Sequence, residues 1–115
     1  MRRKREITTM SNQLIEEQLK KRILIIDGAM GTMIQNANLS PEDFGGEEYD
    51  GCNEYLNIVK PEVIEDIHRA YLDAGADIIC TNTFGGTPVV LNEYNLGNQA
   101  HEINLLAAQF AKKCV

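Results

Sequence analysis

A parallel α/β fold is what this sequence predicts, on three observations. Ile23-Leu24-Ile25-Ile26 is an unbroken apolar run ended by Asp27-Gly28, the pattern of a strand covered on both faces. A helical pattern beginning at Pro61 runs directly into Ala76-Asp77-Ile78-Ile79-Cys80-Thr81, a second strand of the same kind. The order strand, helix, strand is that of a βαβ unit. Two strands cannot cover both faces of a parallel sheet and would leave unpaired edges, so the segment reads as part of a larger sheet. The residues alone leave a (β/α) barrel and a doubly wound open sheet as the two candidate architectures.

The individual elements follow in chain order. Met1-Arg2-Arg3-Lys4-Arg5 has the charge of a signal-peptide start, but Glu6-Ile7-Thr8-Thr9 stands where the apolar stretch should be, so no export is implied and the chain is read as cytoplasmic. Residues 1–10 are read as a disordered or misassigned start, with Met10 an alternative beginning. Ser11-Asn12-Gln13 then caps a short amphipathic helix carrying Leu14, Ile15 and Leu19, with Glu16 and Glu17 early and Lys20, Lys21 and Arg22 late, as the helix dipole favours.

After the first strand, Gly28 to Lys60 has no sustained period and collects Pro41 and Gly45-Gly46, so it reads as a long excursion with a helical turn around Met33-Ile34-Gln35. Pro61 opens a helix in which Val63, Ile64, Ile67, Ala70, Tyr71 and Ala74 recur on one face until Gly75 stops it. Beyond the second strand, Thr83 to Pro88 breaks the pattern and Val89 to Tyr94 makes a short helical or turn segment. Gly97-Asn98 leads into a last helix lined by Ile103, Leu106, Ala107, Phe110, Ala111 and Cys114. No linker or second domain interrupts residues 11–115, which form one unit.

Composition narrows the function. With 115 residues and 43% hydrophobic content the chain is the size of one ordinary globular domain, and no window approaches the ~18 apolar residues of a membrane span. A net charge of −6 disfavours nucleic acid and anionic membrane, and the basic N-terminal cluster is read as a solvated terminus rather than an RNA-binding tail. Cys52, Cys80 and Cys114 are odd in number, far apart and without a C-x-x-C pair, so they encode neither a disulfide framework nor a local zinc knuckle. Cys80, inside the second strand, reads as a buried small hydrophobe.

The chemistry gathers at the carboxyl ends of the two strands, where parallel α/β folds place their sites. At the first are Asp27-Gly28-Ala29-Met30-Gly31-Thr32, and at the second Thr81-Asn82-Thr83-Phe84. Glycines let backbone N–H groups approach an anion and the aspartate can take up a protonated amine, so together they suit a zwitterionic small molecule. A tight turn capped by Asp27 explains the first motif equally well. The spacing Gly28-Ala29-Met30-Gly31 is not G-x-G-x-x-G and no Walker lysine follows, which argues against a dinucleotide or triphosphate. His68 and His101 fall on predicted helices and are read as packing or surface residues.

Asp27-Gly28-Ala29-Met30-Gly31-Thr32, followed by the run from Cys52 to Phe84, resembles the start of the homocysteine S-methyltransferase domain, most closely in its cobalamin-dependent members. The resemblance extends from Ile23 to the last residue and is most specific from Asn53 to Phe84. It implies the first two β/α units of a (β/α)8 (TIM) barrel, with residues 11–115 an N-terminal fragment of that homocysteine-binding domain. It also implies methyl transfer from methylcobalamin, ultimately from methyltetrahydrofolate, to a zinc-bound homocysteine thiolate. In the family three cysteines hold the zinc, in motifs that Cys52, Cys80 and Cys114 do not match, so no metal or catalytic residue is assigned here. Cobalamin and folate modules would lie downstream. The resemblance makes Asp27 the partner of the homocysteine ammonium, places Gly28, Gly31 and Thr32 along the amino-acid end, and gives Thr81, Asn82, Thr83 and Phe84 the neighbouring wall. Asn53 and Glu54 match the family pattern too, though loop architecture explains them as well. Relatives that take the methyl group from betaine or S-methylmethionine, and a non-catalytic amino-acid-binding or interaction module, are the alternatives.

Overall fold

The structure is a computed structural model that describes residues 14–115. The reading of residues 1–10, and the cap at Ser11-Asn12-Gln13, lie outside those residues. In chain order, helix α1 covers 14–21, an extended segment passes through Ile26, and α2 spans Met30–Asn36. Three 3-10 turns follow at Pro41–Phe44, Glu47–Tyr49 and Asn53–Tyr55, then α3 at Leu56–Val59 and α4 at Pro61–Asp73. A second extended segment passes through Ile78 to α5 at Pro88–Leu91, 3-10 turns at Asn92–Tyr94 and Gly97–Gln99, and α6 at Ala100–Cys114.

The expected α/β fold, the first two β/α units of a (β/α)8 barrel, is not what the described residues form. They are 66% helical and contain no strand and no sheet. The two apolar runs meet at a single parallel bridge, Ile26 with Ile78. Only three backbone hydrogen bonds join them: Asp27 N to Ile78 O at 2.8 Å, and Asp77 N and Ile78 N to Ile25 O at 2.8 and 3.1 Å. A ladder needs consecutive pairings, and a strand buried on both faces needs a layer over each. Neither layer is present over the first run, where Ile23, Ile25 and Ile26 are 88%, 60% and 57% exposed. The sequence pattern read these residues as doubly buried, and the structure leaves them on the surface.

The helices follow the sequence more closely. Pro61 occupies the first turn of α4, where its missing N–H costs nothing, and Ile64 and Ile67 are buried on one face with Val63 and Tyr71 packed beside them. Ala70 and Ala74, expected on that face, are exposed. Gly75 ends the helix at φ 107°, with Gly75 N donating to Leu72 O and Ala76 N to Tyr71 O, a Schellman motif in which the left-handed residue carries no Cβ penalty. In α6, Ala100, Ile103 and Ala107 are buried, and Leu106, Phe110, Ala111 and Cys114 are partly covered along the predicted side.

The excursion from Gly28 to Lys60 is the main gain over the sequence reading. Ser40 and Asp43 form a reciprocal capping box, and Asp43 also accepts from Lys60 Nζ at 2.8 Å, tying the turn to the start of α4. Phe44 is thereby driven into a core with Ile34, Leu56, Ile64 and Ile67. A second core gathers Cys52, Leu91, Leu96, Ala100 and Ile103. The four-residue α3 lies between them: Leu56 enters the first core, Ile58 packs on the second, and Asn57 between them is buried at 1% exposure.

The N-terminal helix is attached by charge. Asp77 accepts from both Arg22 guanidinium nitrogens, at 2.8 and 2.7 Å, and from Ile25 N at 2.9 Å. Those hydrogen bonds, Arg22 first, lower its pKa from 3.8 to about 2. The folded value lies below the unfolded one, so the contribution is complete above pH 3.8 and disappears as pH falls through 2. Asp77→Asn is therefore expected to lower the urea midpoint at pH 7 and to show a flatter acid limb between pH 4 and 2. Superimposable wild-type and variant acid limbs would show that the Asp77 contacts do not contribute.

Candidate functional site

The two predicted motifs meet where the extended segments end. Asp27 N donates to Ile78 O, which places its side chain beneath the next turn of the partner segment, and both carboxylate oxygens accept from Cys80 N at 3.1 Å. The carboxylate is half-buried and its orientation is fixed by that one amide. Burial, and after it the hydrogen bond to Asp27, raise the Cys80 thiol above its ordinary pKa. Cys80 is exposed, contrary to the expectation of a buried hydrophobe, because its segment is left uncovered on that side. Gly28 is exposed, and a Cβ there would sit 3.5 Å from the Tyr71 hydroxyl, so the α4 face lies directly against this turn.

Gly31 and Thr32 lie in the first turn of α2, whose N-cap residue Ala29 supplies no side-chain hydrogen bond. Thr81 and Thr83 project together, with their hydroxyl oxygens 2.8 Å apart, while Asn82 turns inward. Asn82 is 4% exposed; its Nδ2 donates to Asn53 O at 2.9 Å and to Asn57 Oδ1 at 3.0 Å. Asn57 Nδ2 returns hydrogen bonds to Asn82 O at 3.0 Å and Ile103 O at 3.2 Å. The amide of Asn82 is spent inside the protein, so its part is to hold the loop. Phe84 is the opposite case, with a side chain that is fully uncovered.

Residues 24–115 match the family model described as Homocysteine S-methyltransferase. The chain belongs to that family. Its reaction is methyl transfer to homocysteine, and the matched span includes every residue assigned above to the strand ends. Asp27, the start of α2 and the Thr81–Thr83 pair converge at one corner of the structure. A cleft of about 430 Å³ opens elsewhere, among Ile34, Gln35, Asn38, Leu39, Phe44, Gly51 and Asn53. Neither an ionisable side chain nor any of Asp27, Gly28, Gly31, Thr32 and Thr81 to Phe84 lines it.

The zinc that the family resemblance implies has no fitting donor set in this part of the chain. Cys52 is buried at 2% exposure, Cys80 stands beside Asp27, and Cys114 donates from Sγ to Glu65 O at 3.8 Å. Among the described residues no three His, Cys, Asp or Glu side chains gather closely enough to hold a metal ion. No step through zinc is derived from them. Among the described residues, too, no helix is long and apolar enough to cross a membrane.

Two residues at this corner escaped the sequence reading. Asn57 is a single polar residue inside the apolar run Leu56-Asn57-Ile58-Val59, which in retrospect is the signal for a buried hydrogen-bonding role. His68, read as a packing or surface residue, is wholly buried, and among the described residues neither ring nitrogen has a partner. Burial depresses its pKa below 6.5, while the carboxylates of Asp27 and Glu65 act in the opposite direction.

Asn57→Ala removes an acceptor of Asn82 and strands two buried carbonyls, so it is expected to destabilise the chain by about 3 kcal/mol in urea denaturation. A loss under about 0.5 kcal/mol would mean water replaces the amide at no cost. For His68 the unfolded state binds the proton more readily, so stability is lost as pH falls below 6.5. His68→Leu is expected to flatten that limb and to add about 1 kcal/mol at pH 7 by removing an unpaired buried imidazole. A loss of stability at pH 7 would show that the ring nitrogens are in use.

Proposed function

We propose that this chain supplies the amino-acid-binding wall for homocysteine in a methionine synthase, with methylcobalamin as the methyl donor. The observation that carries the reading is the Asp27 carboxylate, locked by Cys80 N beside the turn into α2, in a segment that belongs to the homocysteine S-methyltransferase family. A fixed, half-buried carboxylate binds an ammonium without first paying the entropy of ordering itself. Backbone N–H groups at Gly31 and Thr32 suit the homocysteine carboxylate, and Thr81, Thr83 and Phe84 suit the wall beside its thiol-bearing arm. In the reaction the homocysteine sulfur forms a bond to the methyl carbon as that carbon leaves its donor. The residues of this chain bind and orient the amino acid so that its sulfur is presented. The methionine synthase reading rests on the stretch from Asn53 to Asn95, which resembles cobalamin-dependent members more than those that use betaine or S-methylmethionine.

Asp27→Asn keeps the shape of the side chain and removes its charge. In the full-length enzyme, losing one charge-assisted hydrogen bond is expected to raise the homocysteine KM by about 10- to 100-fold, with zinc content unchanged. An unchanged KM would remove Asp27 from the substrate site. A loss of zinc in parallel would make it a support of the metal centre instead.

A further inference from the structure

The loop Asn82 to Gly86 is held at several residues, mostly by partners from outside it. Asn82 is fixed by Asn57 and Asn53, as above. Gly86 O accepts from Asn104 Nδ2 of α6 at 2.8 Å, and Gly86 N donates to Thr83 O at 3.0 Å. The Glu54 carboxylate, itself half-buried, lies against Gly85, whose N–H favours its charged form. The carboxylate sits so close that a Cβ on Gly85 would come within 2.6 Å of Glu54 Oε1 and 3.2 Å of Val90 Cγ1. Gly85 and Gly86 are both buried, and within this fixed frame Phe84 alone has a fully uncovered side chain.

A loop ordered this completely around one exposed aromatic ring has its backbone entropy removed before any ligand arrives. The holder that is charged is Glu54. Its partial desolvation raises its pKa, and the Gly85 N–H in turn favours the carboxylate form. We propose that Glu54 is a positioning residue, which fixes the Phe84-Gly85-Gly86 backbone and so sets Phe84 as the preformed wall of the amino-acid pocket. It acts through Gly85 and does not touch the substrate. The role of Phe84 in this inference rests on the homocysteine reading given above, and the clamp itself does not.

The test pairs amide hydrogen exchange on the chain with homocysteine kinetics. Glu54→Ala is expected to speed exchange at Gly85 by at least about 10-fold while the amides of α4 stay unchanged. Glu54→Gln, which keeps an acceptor oxygen, is expected to remain within about 3-fold of wild type. Gly85→Ala forces a methyl group against Oε1 and is expected to reproduce the Glu54→Ala pattern from the other side of the contact. In kinetics, Glu54→Ala is expected to raise the homocysteine KM about 5-fold or more with kcat within 2-fold, and Glu54→Gln to restore it. Unchanged Gly85 exchange in both Glu54→Ala and Gly85→Ala would overturn the clamp. Faster exchange with an unchanged KM would leave the clamp in place and overturn the assignment of Phe84 to the homocysteine pocket.

Discussion

Asn57 and Asn82 meet in the interior, where an amide left without a partner costs about 1–3 kcal/mol. Neither is left so. Each donates to the other, Asn57 Nδ2 to Asn82 O and Asn82 Nδ2 to Asn57 Oδ1, and each reaches one further carbonyl, at Ile103 and Asn53. Three parts of the chain are thereby joined: the turn before α3, the end of the second extended segment, and α6. The two apolar cores lie on either side of α3, so the pair sets how they are placed relative to each other. Apolar packing has no direction of its own, and a satisfied amide pair does.

A second constraint operates where the extended segments run together. With one bridge and three backbone hydrogen bonds, the pairing is too short to hold itself. Each segment contributes a carboxylate that reaches across to the other's backbone, Asp77 to Ile25 N and Asp27 to Cys80 N. Side chains lengthen the pairing where a ladder would otherwise continue. Asp77 also takes Arg22, and its role is structural. Asp27 stands at the other end, with its charge beside the α2 turn, so the same bond that completes the pairing also orients the carboxylate assigned to the ammonium. The proposed binding role and the structural role of Asp27 thus meet at one side chain.

Much of the local structure was legible in the residues. The Pro61 start and Gly75 stop of α4 and the apolar side of α6 follow from periodicity and from caps. The excursion was less so, because 3-10 turns have no apolar period to read, and the Ser40–Asp43 capping box is a signal of only two residues. His68 was left between packing and surface, because an α4 position carries no mark of what will lie above it, and the structure makes it a packing residue. The burial of Cys80 was misread for the same reason.

The sequence by itself determined the long helices α4 and α6 and the family, since these rest on short-range periodicity, caps and ordered motifs. Only the tertiary structure decided that the apolar runs at Ile23–Ile26 and Ala76–Thr81 make a single bridge and no sheet. A β-branched run states a preference for an extended, covered backbone, and the covering layers are long-range partners that the run cannot encode. The structure likewise decided that Asn82 faces inward and Phe84 outward, because the loop is held by Asn57 and Asn104, both distant in sequence from it.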